Sequence, residues 1–129
     1  MFYKKTNYII DLNKKSFNVC IHIGDLYTTA GDFVDAEVAY KYAIQKSPLK
    51  NYKAYLKLTE LYIMQEKFDL AFAALDNIKD VEAKSLIKFK TRCYIVIGDK
   101  YYSIGKFLSA AKSYEEANFY YNKFAKKDK

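Results

Sequence analysis

The chain has 129 residues, of which 51% are hydrophobic, and a formal net charge of +7; this length suits one compact domain. With one proline and four glycines, the composition argues against a sandwich, a barrel or a collagenous segment and favours an all-α fold. No apolar run approaches the roughly 20 residues that cross a bilayer, and the first ten residues are too short and polar for a signal-peptide core. We therefore expect no membrane insertion and a cytoplasmic location, with the nucleus as the alternative.

The spacing of apolar residues predicts a series of amphipathic helices. The first 15 residues form a lead segment, with a short helix predicted over residues 2–12 from Tyr3, Ile9, Ile10 and Leu12. Further helices are predicted at residues 16–30, 33–46, 51–64 and 67–79. A longer one follows, in which the residues step by three and four: Ala83, Leu86, Ile87, Lys90, Cys93, Tyr94, Ile97 and Tyr101. The last helix is predicted at about residues 107–125.

The chain repeats itself. Residues 23–27 read IGDLY and residues 97–101 read IGDKY. The same small and aromatic residues follow each copy at equal spacing: Gly31, Phe33, Ala36, Tyr40 and Ala43 in the first; Gly105, Phe107, Ala110, Tyr114 and Ala117 in the second. A weaker unit lies between them, with Tyr55, Leu58, Thr59, Tyr62, Phe68, Ala71 and Leu75 in register.

These units resemble tetratricopeptide repeats (TPRs), with Cys20 in the position of the usual Trp. The resemblance spans about residues 16–117 and implies a right-handed superhelical α-solenoid of antiparallel helix pairs. The repeats lie at about 16–49, 51–80 and 81–117, and residues 118–129 extend the last helix as a cap and basic tail. The positions that carry the repeat signature are Gly24, Tyr27, Ala36, Tyr62, Ala71, Gly98, Tyr101 and Ala110.

The second and third repeats are more widely spaced than the family pattern. Tyr62 and Tyr101 lie 39 positions apart, whereas Tyr27 and Tyr62 lie 35 apart; the usual period is 34. The extra residues come before the third unit, so we expect them to lengthen its first helix by a turn or more.

The resemblance implies a non-enzymatic protein-binding module or adaptor, because stacked helix pairs offer a concave groove for a segment of another protein. In the family, fixed positions on the first helix of each unit line this groove. Here those positions hold Asn18, Ile21, Asp25 and Thr28 in the first unit, Lys53, Leu56, Lys57, Glu60 and Met64 in the second, and Arg92, Ile95, Val96, Asp99 and Tyr102 in the third.

An acid occupies one equivalent groove position in every unit, namely Asp25, Glu60 and Asp99. Two interpretations stay open. The acids pair with Lys57, Lys53 or Arg92 and contribute little, or they select a basic partner segment while Met64, Ile95 and Tyr102 supply apolar contacts.

One TPR subgroup clamps the C-terminal carboxylate of chaperones with Lys, Asn and Arg side chains. The five corresponding positions hold Ile21, Asp25, Lys57, Arg92 and Val96 here. Only Arg92 keeps the required charge, and a bound carboxylate would meet Asp25 where it needs a donor. We therefore expect no chaperone-type carboxylate clamp.

Two other functions remain open. The chain could be a small subunit or excised domain of a large assembly, resembling TPR subunits of the anaphase-promoting complex, that makes contacts or self-associates through its edges. It could also bind RNA or an anionic surface weakly through its ends. Residues 1–15 and 118–129 each carry a net charge of +3, which leaves +1 for the repeat body. Basic ends without an arginine-rich patch do not favour nucleic acid as the partner.

Catalytic and metal-binding motifs are missing from the sequence. It contains no glycine-rich phosphate loop and no nucleophile beside a base in a known motif. His22 is the only histidine and is predicted to be structural or to line the groove. Cys20 and Cys93 are predicted to be buried, reduced packing residues on the first helices of different repeats. We expect no enzyme activity, no cofactor and no metal.

Overall fold

The computed structural model describes residues 2–5, 8–79 and 83–127. Within these ranges a pair of short strands is followed by helices α1 (Phe17–Ala30), α2 (Phe33–Lys46), α3 (Asn51–Met64), α4 (Phe68–Asp76), α5 (Lys84–Ser103) and α6 (Phe107–Lys127). Helix α1 packs against α2, and α5 against α6; the short turn inside each pair makes its helices antiparallel. The predicted fold of helix pairs is confirmed.

The predicted leading helix over residues 2–12 is wrong. Strand β1 (Phe2–Lys5) pairs antiparallel with β2 (Tyr8–Asp11), and a turn of 3₁₀ helix (Leu12–Lys14) follows. The segment is rich in aromatic and β-branched residues, which favour strands, and so short a helix would be marginal by itself.

Three parts of the predicted organisation fall on residues that the structure does not describe. Residues 6–7 belong to the predicted leading helix, residues 80–82 contain the boundary between the second and third repeats, and residues 128–129 end the predicted basic tail. All three lie outside the described residues.

The later helices begin and end close to their predicted positions, and only α4 ends earlier, at Asp76 instead of residue 79. Helix α5 has 20 residues, whereas α1 and α3 have 14 each. The residues inserted before the third unit therefore lengthen its first helix, as predicted.

The ends of α1 follow ordinary capping rules. Ser16 precedes the helix, and its hydroxyl accepts a hydrogen bond from the Val19 amide at 3.3 Å. Gly31 ends the helix with a φ of 81°, a left-handed conformation that glycine adopts without a steric penalty. Gly105 has a φ of 80° after α5. The two glycines of the repeat pattern therefore mark where the first helix of a unit ends.

In the middle repeat, the position equivalent to Gly31 and Gly105 holds Glu66, with a φ of 59°. Replacing Glu66 by Gly is expected to raise the free energy of unfolding by up to about 1 kcal/mol. The left-handed conformation costs an ordinary residue about 1–2 kcal/mol, and the greater freedom of glycine in the unfolded chain offsets part of that gain. Urea denaturation would measure the change. Gly105→Ala is the matched reverse substitution and should lower the midpoint; a lower midpoint for Glu66→Gly would contradict the argument.

The chain divides into two compact units, Met1–Leu61 and Tyr62–Lys129, which we call unit 1 and unit 2. The core of unit 1 joins the 3₁₀ turn to the first three helices. Its buried cluster contains Leu12, Phe17, Cys20, Ala39, Ala43 and Ala54. Helix α3 therefore contributes to the core built on α1 and α2.

Both cysteines are free and buried, as predicted. The Cys20 thiol contacts the carbonyl oxygens of Leu12 and Lys15 at 3.8 and 3.9 Å. Burial raises the pKa of this thiol, and the charge of Lys46 lowers it to a smaller extent. The thiol therefore stays protonated at neutral pH.

Unit 2 contains a lysine with no exposed surface. The Lys90 ammonium group donates hydrogen bonds to the Ile78 carbonyl at 2.6 Å and to the Tyr120 hydroxyl at 2.8 Å. It also lies 4.2 Å from the centre of the Tyr120 ring, within the range of a cation–π interaction. The Tyr120 ring stacks on Tyr94 of α5. The extension of α6 beyond the repeat thus packs along α5; its role as a cap stays a prediction.

Candidate interaction surfaces

In the first and third repeats, a tyrosine of the second helix packs over a glycine of the first helix. Tyr40 of α2 lies over Gly24 of α1, and Tyr114 of α6 lies over Gly98 of α5. A Cβ atom added at Gly24 would lie 2.6 Å from Cδ1 of Tyr40, and one added at Gly98 would lie 2.8 Å from Cδ1 of Tyr114. Such separations are shorter than van der Waals contact. Only glycine therefore allows either ring to approach the helix this closely.

The same tyrosines donate hydrogen bonds to the aspartate that follows each glycine. The Tyr40 hydroxyl lies 2.5 Å from Oδ1 of Asp25, and the Tyr114 hydroxyl lies 2.6 Å from Oδ1 of Asp99. Burial, followed by the hydrogen bond to Asp25, raises the pKa of Tyr40, so this hydroxyl remains a donor at neutral pH. Two of the three predicted groove acids therefore have an acceptor role inside their own unit.

This hydrogen bond was not predicted, although the sequence contains a signal for it. In both outer repeats a Gly-Asp pair is followed by a tyrosine 15 residues after the aspartate. The middle repeat has Thr59 and Glu60 in place of the pair and Leu75 in place of the tyrosine. Glu60 therefore differs from the other two acids, since its own repeat supplies no tyrosine donor at that position.

Asp25 also makes one of the ion pairs that the sequence left open. The Lys57 ammonium group lies 3.3 Å from Oδ1 of Asp25, with both side chains partly exposed. The Thr28 hydroxyl donates to the Gly24 carbonyl and lies 3.2 Å from the Tyr40 hydroxyl. Asp25 and Thr28 are therefore occupied by contacts within unit 1, which supports the interpretation of Asp25 as a paired acid.

Six predicted groove residues meet at one open cavity of about 340 Å³ in unit 1. They are Asn18 and Ile21 of α1 with Lys53, Leu56, Lys57 and Glu60 of α3. His22 also lines the cavity, in agreement with one of its two predicted roles. Phe17 completes the lining and was missed; it lies one turn before Ile21, on the same side of α1. The cavity combines an apolar part with amide, ammonium, imidazole and carboxylate groups.

The predicted groove residues of the third repeat lie on α5 in unit 2, and all are exposed: Arg92, Ile95, Val96, Asp99 and Tyr102. Met64, at the end of α3, is exposed as well. The Tyr102 ring makes an edge contact with Phe107 of α6. By contrast, the residues of the repeat signature are buried: Gly24, Tyr27, Ala36, Tyr62, Ala71, Gly98, Tyr101 and Ala110.

Comparison with known families agrees with this arrangement. The sequence profile described as Tetratricopeptide repeat matches residues 27–91. The chain belongs to the tetratricopeptide repeat family. Proteins of this family bind other proteins or peptides and are generally non-catalytic scaffolds, so the chain is a TPR interaction module.

No curated protein matches the sequence, but solved structures share the TPR fold. The crystal structure of MamA is similar with a TM-score of 0.62 and 24% identity, over 90% of this chain and 63% of that one. The structure of BtubC (BKLC) from P. vanneervenii is similar with a TM-score of 0.59 and 16% identity, over 84% of this chain and 48% of that one. This TPR chain thus spans less than two thirds of the length of either.

None of the helices in residues 2–5, 8–79 and 83–127 combines the length and apolar character that crossing a membrane requires. Within the same ranges, no three His, Cys, Asp or Glu side chains form a group that could hold a metal ion.

Proposed function

We propose that this TPR protein is a non-enzymatic adaptor that binds a segment of a partner protein in the cavity of unit 1. The cavity itself supports the proposal, because it is lined by the first helices of two successive repeats, α1 and α3. Ile21 and Leu56 offer apolar surface beside polar groups that can fix the orientation of a bound segment. We also propose the cytoplasm as its location.

Glu60 is the acid that we expect to select a basic side chain of the partner. Its side chain is exposed and lines the cavity, whereas Asp25 is engaged by Tyr40 and Lys57. A lysine or arginine of the partner would pair with Glu60, while an apolar neighbour in the same segment would contact Leu56. Such a rim pair adds specificity more than affinity.

Glu60→Lys is expected to weaken capture of the partner at least tenfold, because it replaces an attraction with a repulsion at the cavity. Partners would be captured from an extract of the native organism and identified by mass spectrometry, and affinity for the identified segment would then be measured by calorimetry. Glu60 suits the test better than Asp25, since reversing Asp25 would also remove the acceptor of Tyr40 and lower stability.

Two further variants complete this experiment. Leu56→Asp removes apolar surface from the cavity and should also weaken capture, with helicity checked by circular dichroism. Glu115→Lys changes an exposed acid of α6 in unit 2 and is the matched control, so it should leave capture intact. Partners that persist with both Glu60→Lys and Leu56→Asp would move the binding surface away from the cavity.

Binding of RNA or of an anionic surface through the basic ends is the lesser alternative. It would appear as a steep loss of affinity with rising salt, because phosphate contacts release counterions. Binding in the cavity is expected to depend on salt only through the Glu60 pair. The slope of affinity against salt concentration therefore separates the two functions.

A further inference from the structure

The two units offer an internal comparison of surfaces. Residues 91–120 of the α5–α6 pair correspond to residues 17–46 of the α1–α2 pair, 74 positions earlier, as Gly98 corresponds to Gly24. Tyr40 and Tyr114 are such counterparts and make the same hydrogen bond, yet Tyr40 is 2% exposed and Tyr114 is 37% exposed. The surface around Tyr114 on the α5–α6 pair is therefore exposed, whereas the equivalent surface around Tyr40 on the α1–α2 pair is covered.

Helix α3 covers that surface in unit 1. Ala54 of α3 belongs to the buried cluster that contains Ala39 and Ala43 of α2, and Lys57 of α3 pairs with Asp25 of α1. In unit 2, the residues at equivalent positions form an exposed patch, which we call the C-terminal face: Ile95, Asp99, Tyr102, Phe107 and Tyr114. The counterparts of its apolar members are all buried or half-buried in unit 1.

The chain also exposes a helix of the kind that would cover this face. Val19, His22 and Leu26 of α1 stand 35 positions before Ala54, Lys57 and Leu61 of α3. In each set, the second and third residues follow the first by three and seven positions, so all three lie along one stripe of the helix. Ala54 and Leu61 are at most 1% exposed, whereas Val19 is 41% and Leu26 is 63% exposed. Helix α1 thus presents to solvent the stripe that α3 buries.

We propose that copies of this chain associate head to tail, with α1 of one copy lying on the C-terminal face of another. Helix α1 would take the position that α3 takes on α1 and α2, so that Val19 replaces Ala54. His22 would replace Lys57 and lie opposite Asp99, as Lys57 lies opposite Asp25. A second copy is the occupant because one chain carries both halves of the contact. The α1 stripe shares His22 with the lining of the cavity, but the inference rests on the exposure of Val19 and Leu26 and goes beyond the proposed function.

Such a contact is heterologous, since two different surfaces meet, and each added copy leaves one surface of each kind for a further contact. The average mass of the wild-type protein is therefore expected to rise with concentration in sedimentation velocity. Leu26→Glu damages the α1 stripe, and Phe107→Glu damages the C-terminal face. Each variant alone should remain a monomer, because each lacks one half of every contact.

An equal mixture of the two variants gives the sharper test. The Leu26→Glu chain keeps its C-terminal face and the Phe107→Glu chain keeps its α1 stripe, so the mixture should form a dimer that cannot grow further. Leu108→Glu is the matched control for Phe107→Glu. Leu108 is 79% exposed, and its counterpart Val34 is 73% exposed although α3 is present; the variant should therefore associate like the wild type.

Three results would overturn the proposal. They are a wild-type chain that stays monomeric at every concentration, single variants that associate as the wild type does, and a mixture that stays monomeric. In the first case another protein's helix would be the occupant of the face. Both substituted side chains are 63% exposed, so helicity should be unchanged by circular dichroism. Leu26→Ser and Phe107→Ser would replace any variant that fails this check, with the same expected masses.

Discussion

Gly24→Ala is expected to lower the free energy of unfolding by about 1–3 kcal/mol, the usual cost of overpacking a well-filled core. The new Cβ atom would lie 2.6 Å from Cδ1 and 2.8 Å from Cζ of Tyr40. The ring cannot retreat easily, because it is 2% exposed and its hydroxyl is hydrogen-bonded to Asp25. Alanine is otherwise the better helix former by about 1 kcal/mol, so a net loss would report the clash itself.

Gly98→Ala is the matched control, and urea denaturation would compare the two variants. The contact with Tyr114 is slightly looser, since the added Cβ atom would lie 2.8 Å from Cδ1 and 3.1 Å from Cζ, and this ring is 37% exposed and can swing towards solvent. A smaller loss is therefore expected at Gly98. Adding Tyr40→Leu to Gly24→Ala should recover part of the stability. Equal losses at the two glycines, or a gain at Gly24, would contradict the packing argument.

The free energy of unfolding of the wild-type protein is expected to rise between pH 8 and 10, and Lys90→Met is expected to abolish this rise. Burial lowers the pKa of Lys90 from 10.5 to about 8, against smaller opposing effects of Asp76 and Glu116. In the folded chain the proton leaves near pH 8, whereas the unfolded chain keeps it to about pH 10.5. The unfolded state thus binds more protons within this window, and the free energy of unfolding rises with pH. The full shift corresponds to about 3 kcal/mol.

Ionisation of the tyrosines sets the upper limit of the pH range over which stability rises. Burial is the largest cause of the raised pKa values of Tyr40, Tyr94 and Tyr101. The unfolded chain loses these protons first, so stability falls above about pH 10. Chemical denaturation across pH 7–10 would compare the wild type with Lys90→Met and with Lys88→Met, which changes an exposed lysine of the same helix. Parallel curves for the wild type and Lys90→Met would refute the assignment, whereas Lys88→Met should keep the rise.

The helix pairs could be predicted from the sequence because the repeat pattern encodes contacts between neighbours along the chain. Small residues such as Gly24 and Ala36 recur at fixed distances from the aromatic residues that pack on them, so spacing alone locates both helices of a pair. The cavity in unit 1 was predictable for the same reason, since its residues occupy equivalent positions on α1 and α3.

The strand pair and the buried lysine depend on partners that spacing does not reveal. Residues 2–12 are too few to establish a helical period, and pairing between β1 and β2 decides their conformation. Lys90 falls on the apolar side of α5 in the sequence pattern. Its burial depends on the Ile78 carbonyl and on Tyr120, which lie 12 and 30 residues away. A pattern within one helix contains no information about either partner.

The burial of both cysteines makes the chain suitable for site-specific labelling. Cys20 and Cys93 are buried, and the raised pKa of Cys20 further slows its attack on a maleimide, because the thiolate is the reactive form. A cysteine introduced at an exposed position such as Leu49 would react far faster than either native thiol. A fluorophore or spin label could then be attached there without first removing two residues from the core.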